Sequence, residues 1–248
     1  MTIKDQVAIV TGAGSGLGRA MALGLGREGA ALLLADVREE GAKRVQREIL
    51  NLGVAAEVFI GDLSQEYVAR GMVDFCVQRF GRIDILINNA GLRMEVHEDG
   101  VYEEWRCLKK SPTHEVAVAD WDLVIAVNLR AVYLCTHFAL PQMMRQRRGT
   151  IIAISSNAGS QGVAGKCAYV ASKHGVEGLM KTVAAEMKEF GIGANAIHPG
   201  GRVNVDGRGG QSAEVVNPLI LYLASRDGPE LTGKVFKARD WNEGKRDF

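Results

Sequence analysis

The chain is poor in several residue types at once. Its 248 residues include only 5 prolines, 4 cysteines and 6% aromatics. Cys76, Cys107, Cys135 and Cys167 stand far apart, with no CxxC pair and no Cys/His zinc spacing. Neither a disulfide framework nor a metal site is therefore expected. An excess of one charge is also missing. With 30 Lys+Arg against 29 Asp+Glu the net charge is +1, too little to drive nucleic-acid binding. No run reaches the ~18 uninterrupted apolar residues of a membrane span. The first apolar run, Val7–Val10, is too short for a signal-peptide core, so a cytoplasmic location is expected.

Glycine is abundant: 30 of 248 residues, about 12% against a usual ~7%. Glycine without proline or repeats implies tight turns and close backbone approaches. At 47% hydrophobic and 24% charged residues, the composition is that of a globular chain with a sizeable core. Neither a linker nor a repeat interrupts it, so one domain over 1–248 is expected.

Short apolar runs alternate with helical periodicity. Strands are expected at Val7–Val10, Ala31–Ala35, Glu57–Ile60, Ile83–Ile87, Ile151–Ser155, Ile192–Ile197 and Lys234–Lys237. Helices are expected at 16–28, around Ala42–Leu52 and Val68–Phe75, from Trp121 to about Arg147, and at Ala168–Phe190 and Ala213–Ala224. Asp120 is a candidate cap of the Trp121 helix, and Pro141 should kink it. Strands too apolar for a one-sided sheet predict an α/β fold. The expected form is a Rossmann-type, doubly wound parallel sheet of about seven strands with helices on both faces.

Between the first strand and the first helix lies Thr11-Gly12-Ala13-Gly14-Ser15-Gly16-Leu17-Gly18. The spacing is TGxxxGxG rather than a strict GxGxxG. Such glycines let backbone approach a pyrophosphate, and the following helix end offers N–H groups to it. A merely glycine-rich turn is the alternative. Asp36 closes the second apolar run, where a carboxylate can bond the adenosine ribose of NAD and repel the 2′-phosphate of NADP. A solvated turn acid is the bland alternative, and Arg38 is a nearby cation that would favour NADP. Asp62-Leu63 is a candidate adenine contact, or Asp62 a turn cap. Tyr169 and Lys173 sit at i and i+4 on one helix face, where an ammonium beside a phenol favours the phenolate.

Together these pieces resemble the short-chain dehydrogenase/reductase family. The matching residues are TGAGSGLG at 11–18, Asp36, Asp62-Leu63, NNAG at 88–91 and Asn128 in VNL. They continue with Ser156 in ISSNAG, YVASK at 169–173 and Pro199-Gly200. They follow the family's order over nearly the whole chain.

The resemblance implies an oxidoreductase that moves a hydride between NAD(H), less readily NADP(H), and a small secondary alcohol or ketone. Tyr169 would exchange a proton with the substrate oxygen, and Ser156 (with Ser155 as competitor) would hold that oxygen. Lys173 would bind the nicotinamide ribose and tune Tyr169, and Asn128 would hold a water linking Lys173 to solvent. The cofactor contacts would be Gly12, Gly14, Ser15, Gly16, Leu17 and Gly18, then Asp36 and Val37, Asp62 and Leu63. Asn88, Asn89, Ala90 and Gly91 would follow, with Ile197, Pro199 and Gly200 flanking the nicotinamide. The division suits the chemistry: the nicotinamide carries the hydride, while the protein orients carbon against carbon and manages one proton.

Two segments depart from the family. Asn204 stands where the family usually has a Thr that bonds the carboxamide and, able to donate and accept, would take over that cofactor contact; the substrate loop 201–212 is short. The segment 92–119 is long and is expected to supply part of the wall over the substrate through Met94, Val96, Val101, Tyr102, Trp105 and Leu108. A surface excursion is the alternative. The helix from Trp121 is apolar nearly all round, which predicts burial against another subunit in a homotetramer, or at least a homodimer. No nucleic-acid or membrane partner is expected. None of the five histidines forms a metal-spaced pair, and none is expected to do catalytic work. An NADPH-dependent 3-oxoacyl thioester reductase and a non-catalytic dinucleotide-binding protein are the competing readings.

Overall fold

The structure, a computed structural model, describes residues 3–95, 107–201, 203, 210–225 and 229–245. The first half runs β1 (Val7–Thr11), α1 (Gly16–Arg27), β2 (Ala31–Asp36), α2 (Glu39–Leu50), β3 (Ala56–Ile60), α3 (Glu66–Phe80) and β4 (Ile85–Asn88). Two short strands follow, β5 (Arg93–Glu95) and β6 (Cys107–Lys109). The second half runs α4 (Val118–Ile125), α5 (Ala131–Gln146), β7 (Gly149–Ile154), α6 (Cys167–Met187), β8 (Ile192–His198), α7 (Asn217–Ala224), β9 (Val235–Lys237) and α8 (Ala238–Asn242).

Seven strands form one parallel sheet in the order β3-β2-β1-β4-β7-β8-β9. Strand side chains alternate between its faces. Ala8, Val10, Leu32, Leu34, Ile152 and Ile197 face α1, α2, α7 and α8, meeting Met21, Leu25, Val45, Ile49, Leu219 and Trp241. Val7, Ile9, Leu33, Leu86, Ile151 and Ala194 face α3, α5 and α6, meeting Met72, Leu134, Met143, Val176 and Met180. Burial on both faces explains the unbroken apolar runs of the strands. The winding reverses between β1 and β4, which opens a crevice at the carboxyl ends of the strands.

Local details differ from the sequence expectations. The long helix starts at Val118, its N-cap is Ala117, and Asp120 lies in the first turn, where its charge suits the helix dipole. It does not run uniformly to Arg147: a π turn at Ala126–Arg130 separates α4 from α5. Pro141 lies within α5, which continues through it. The ends of two helices tighten into 3₁₀ turns, Lys188–Phe190 after α6 and Ala213–Val216 before α7.

The stretch Val118–Gln146 is long and apolar enough by composition to cross a membrane, its 18-residue window reaching a mean hydropathy of 1.7. Its α5 part instead packs Leu134, Cys135, Ala139 and Met143 into the core beneath the sheet. The outer side keeps Val118 74%, Leu123 43% and Tyr133 48% exposed.

The segment 92–119 is structured where it is described. β5 and β6 pair in parallel, and Leu108, Val116 and Tyr169 all pack on Val124 and Ala168. Of its expected wall residues, Val96, Val101, Tyr102 and Trp105 lie outside the described residues, as does the side chain of Met94.

Candidate active site

A cleft of about 1020 Å³ opens along the carboxyl edge of the sheet. At one end it is walled by Gly12, Ser15, Gly16 and Leu17, by Asp36 to Arg38, and by Asp62 and Leu63. Asn89, Ala90 and Gly91 continue the wall toward Ser156, Tyr169, Lys173, Pro199 and Gly200. Residues far apart in sequence thus meet at one edge. Leu92 and Lys110 line the cleft as well, so the long segment supplies wall near Tyr169.

The glycine loop is built for close approach. Gly12 has a φ of +64°, and a Cβ there would stand 2.9 Å from the Ala90 Cα. A Cβ on Gly18 would overlap the Gly12 carbonyl. Gly18 therefore serves packing beneath the loop rather than the cleft surface. α1 begins at Gly16, and its N-cap residue Ser15 makes no side-chain capping hydrogen bond to the first turn. Its first-turn donors remain available to an anion, so the loop fits a pyrophosphate.

Thr11 fastens the loop to β4. Its Oγ1 accepts from the Asn89 and Ala90 amides at 2.9 and 3.0 Å, while Asn89 Nδ2 donates to the Thr11 carbonyl at 2.9 Å. Asn88 turns away and donates to Thr136 Oγ1 at 3.1 Å, bracing the sheet against α5.

Asp36 is buried at the cleft edge. Its Oδ2 accepts from the Gly14 amide at 2.8 Å and its Oδ1 from the Arg38 amide at 2.9 Å. Gly14 thus anchors the loop from behind and does not line the cleft. Arg38 Nη2 donates to Ser15 Oγ at 3.4 Å, placing a cation on the glycine loop at the same end of the cleft as Asp36. Asp62 accepts from the Ser64 amide and hydroxyl at 3.0 and 2.9 Å, as a turn-capping acid does, yet also lines the cleft. Burial would raise its pKa, but the Ser64 and Gln65 hydrogen bonds and Arg130 carry it below the usual value.

At the other end Tyr169 meets Lys173, whose Nζ lies 5.6 Å from the phenol ring centroid. Lys166 Nζ lies 5.9 Å from the same ring. Lys173 is buried and donates from Nζ to the Ile154 carbonyl at 2.7 Å. Burial pushes its pKa down to about 8, against an upward pull from Glu177. Ser156 caps the 3₁₀ turn Asn157–Gly159, its Oγ accepting from the Ala158 amide at 3.2 Å, and it lines the cleft. Ser155 Oγ instead bonds Glu177 Oε1 at 2.7 Å. Ser155 is buried and Ser156 half-buried, and both line the cleft.

Asn128 sits fully buried in the π turn. Its Oδ1 accepts from the Leu92 amide at 2.7 Å; its Nδ2 donates to the Leu92 carbonyl at 2.9 Å and to Ser172 Oγ at 3.3 Å. The side chain is committed to backbone and to α6, tying the start of the long segment to the Tyr169 helix. Ile197 lies in the core rather than the cleft. Asn204 lies outside the described residues. Among the described residues no cluster of His, Cys, Asp or Glu could hold a metal.

Reasoning from sequence missed Glu177 and set His198 aside with the other histidines. Glu177 continues the Tyr169 and Lys173 series at i+8, a spacing visible in the sequence.

Residues 6–210 match the family model for short chain dehydrogenase. The chain belongs to that family. Its members here include cyclohexanol dehydrogenase of Acinetobacter sp. (strain SE19), 32% identical over 94% of this chain and 93% of that protein. The 3-oxoacyl-acyl-carrier-protein reductase of Thermotoga maritima is also 32% identical, over 95% and 96% of the two chains. The crystal structure of levodione reductase superposes with a TM-score of 0.85 at 29% identity, covering 97% of this chain and 98% of that one. The protein is thus a short-chain oxidoreductase of the CH–OH/C=O type.

Proposed function

We propose that the protein oxidises a small secondary alcohol, or reduces the matching ketone, with NAD(H) as cofactor. The observation that carries this reading is the meeting of Ser156, Tyr169 and Lys173 at one end of a cleft whose other end is a glycine loop and Asp36. Bound there, the nicotinamide would accept or donate the hydride. Tyr169 gives or takes the proton at the substrate oxygen, and Ser156 holds that oxygen by hydrogen bond. Lys173 supplies positive charge beside the phenol as alkoxide character develops. Gly12, Ser15, Gly16 and Leu17 hold the pyrophosphate, and Asn89 to Gly91 line the cofactor.

Asp36 and Val37 take the adenosine ribose. A buried carboxylate fixed by two backbone amides disfavours a 2′-phosphate, which supports NAD. Arg38, bonded to Ser15 of the glycine loop, favours a second reading, an NADPH-linked reductase of 3-oxoacyl thioesters; the Thermotoga maritima relative is named a 3-oxoacyl-acyl-carrier-protein reductase. Titration with NADH and NADPH decides between them. NADH should bind more tightly, and Asp36→Ala should erase most of that preference. Tighter NADPH binding in the wild type puts the second reading first.

The exposed apolar side of α4 and α5, with Val118, Trp121, Leu123 and Tyr133, supports assembly as a homotetramer or homodimer. Light scattering that finds a monomer rejects it.

A further inference from the structure

Behind the cleft lies a second polar cluster. Ser155 follows β7, Glu177 stands on α6 and His198 ends β8; all three are buried. Glu177 Oε1 accepts from Ser155 Oγ at 2.7 Å and from His198 Nε2 at 2.6 Å. Gly159 closes over the group, and a Cβ there would overlap both Glu177 Oε1 and Ser155 Oγ. One carboxylate therefore joins three segments: the strand end that delivers Ser156, the helix of Tyr169 and Lys173, and the strand that leads into Pro199-Gly200.

The cluster's charge can be located. Among the described residues His198 Nδ1 is buried without a hydrogen-bond partner. An N–H there would be a buried donor with no acceptor, whereas a neutral ring with its Nε2–H on Glu177 leaves only a lone pair. The negative charge thus stays on Glu177. Lys173, one helical turn back, is its counter-charge; Lys173 from α6 and His198 from β8 are the titratable groups set against it, with Ser155 and Gly159 its other neighbours.

We propose that Glu177 is a positioning residue for the reaction: its carboxylate, clamped by Ser155, His198 and Gly159, keeps Lys173 protonated beside Tyr169. The proposal rests on the reading of Tyr169 as acid/base. Burial works against the Lys173 ammonium, and Glu177 is the charge that opposes burial. Without it, Lys173 loses its proton at lower pH, and Tyr169 keeps its own to higher pH. Tyr169 lies two helical turns from Glu177, so the direct effect of the carboxylate on the phenol is the weaker one.

The test is ultraviolet titration of tyrosinate in the whole protein, with Tyr169→Phe subtracted so that Tyr169 is read alone. Glu177→Gln should move the Tyr169 midpoint upward, by up to about one pH unit over the range where Lys173 is charged in the wild type. His198→Gln, which keeps an N–H donor and leaves the Glu177 charge in place, should leave it near the wild-type position. An unmoved midpoint in Glu177→Gln overturns the proposal, and so does an equal shift in His198→Gln. If Glu177→Gln does not fold, Glu177→Asp replaces it: drawing the charge back should give a smaller upward shift, and no shift overturns the proposal. Turnover of cyclohexanol by Tyr169→Phe at the wild-type rate would defeat the acid/base reading instead, leaving the titration arms to be judged separately.

Discussion

Replacing Lys173 by Met should change how stability depends on pH in a way the burial of its ammonium fixes in advance. In the folded protein its pKa falls from the ordinary 10.5 to about 8, because burial penalises the charge more than Glu177 supports it. The folded state therefore binds fewer protons than the unfolded state between those two values. Where the unfolded state holds more protons, stability rises with pH. The penalty is thus fully present below pH 8 and is relieved as pH climbs toward 10.5. At about 1.4 kcal/mol per pH unit, the gap between 10.5 and about 8 amounts to about 3 kcal/mol. Urea unfolding of wild type and Lys173→Met, at one protein concentration and several pH values, isolates this contribution. The wild-type stability minus that of the variant should rise by about 3 kcal/mol from pH 8 to pH 10.5. A flat or falling difference refutes the claim that a buried ammonium sits beside Tyr169.

Other outcomes follow from the same geometry. Gly18→Ala places a methyl group against the Gly12 carbonyl and Asn89, so NADH affinity should fall by more than tenfold, about 1.4 kcal/mol; calorimetry reads it. Deleting 100–116 removes sequence between β5 and α4, including β6 and the cleft-lining Lys110. It should raise KM or alter selectivity among alcohols while NADH binding persists; unchanged kinetics would place that segment away from substrate. Gly159→Ala crowds Glu177 and Ser155 and should cost roughly 1–3 kcal/mol in thermal or urea unfolding.

The seven strands and the order of helices were legible because a parallel sheet buried on both faces demands continuous apolar runs such as Val7–Val10 and Ile192–Ile197. The glycine loop, Asp36, Ser156, Tyr169 and Lys173 were legible because each stands at a strand end or on one helix face. Less visible was whatever long-range contacts decide. The π turn at Ala126–Arg130 has no composition of its own, and Asn128 within it bonds to Leu92, 36 residues away. Ser155 and Ser156 are neighbours in sequence and both line the cleft, and only the fold brings Glu177 against the Ser155 hydroxyl. His198 looked idle because its partner lies 21 residues earlier and meets it only once β8 is laid beside α6.

The most direct test of the account is the rate of NADH formation from NAD with cyclohexanol and a series of other secondary alcohols, for wild type and Tyr169→Phe. Wild type should turn over at least one of them, faster with NAD than with NADP, and Tyr169→Phe should lose turnover while still binding NADH. Wild type that binds NADH yet oxidises none of the alcohols and reduces none of the matching ketones, or a Tyr169→Phe variant as fast as wild type, would contradict it.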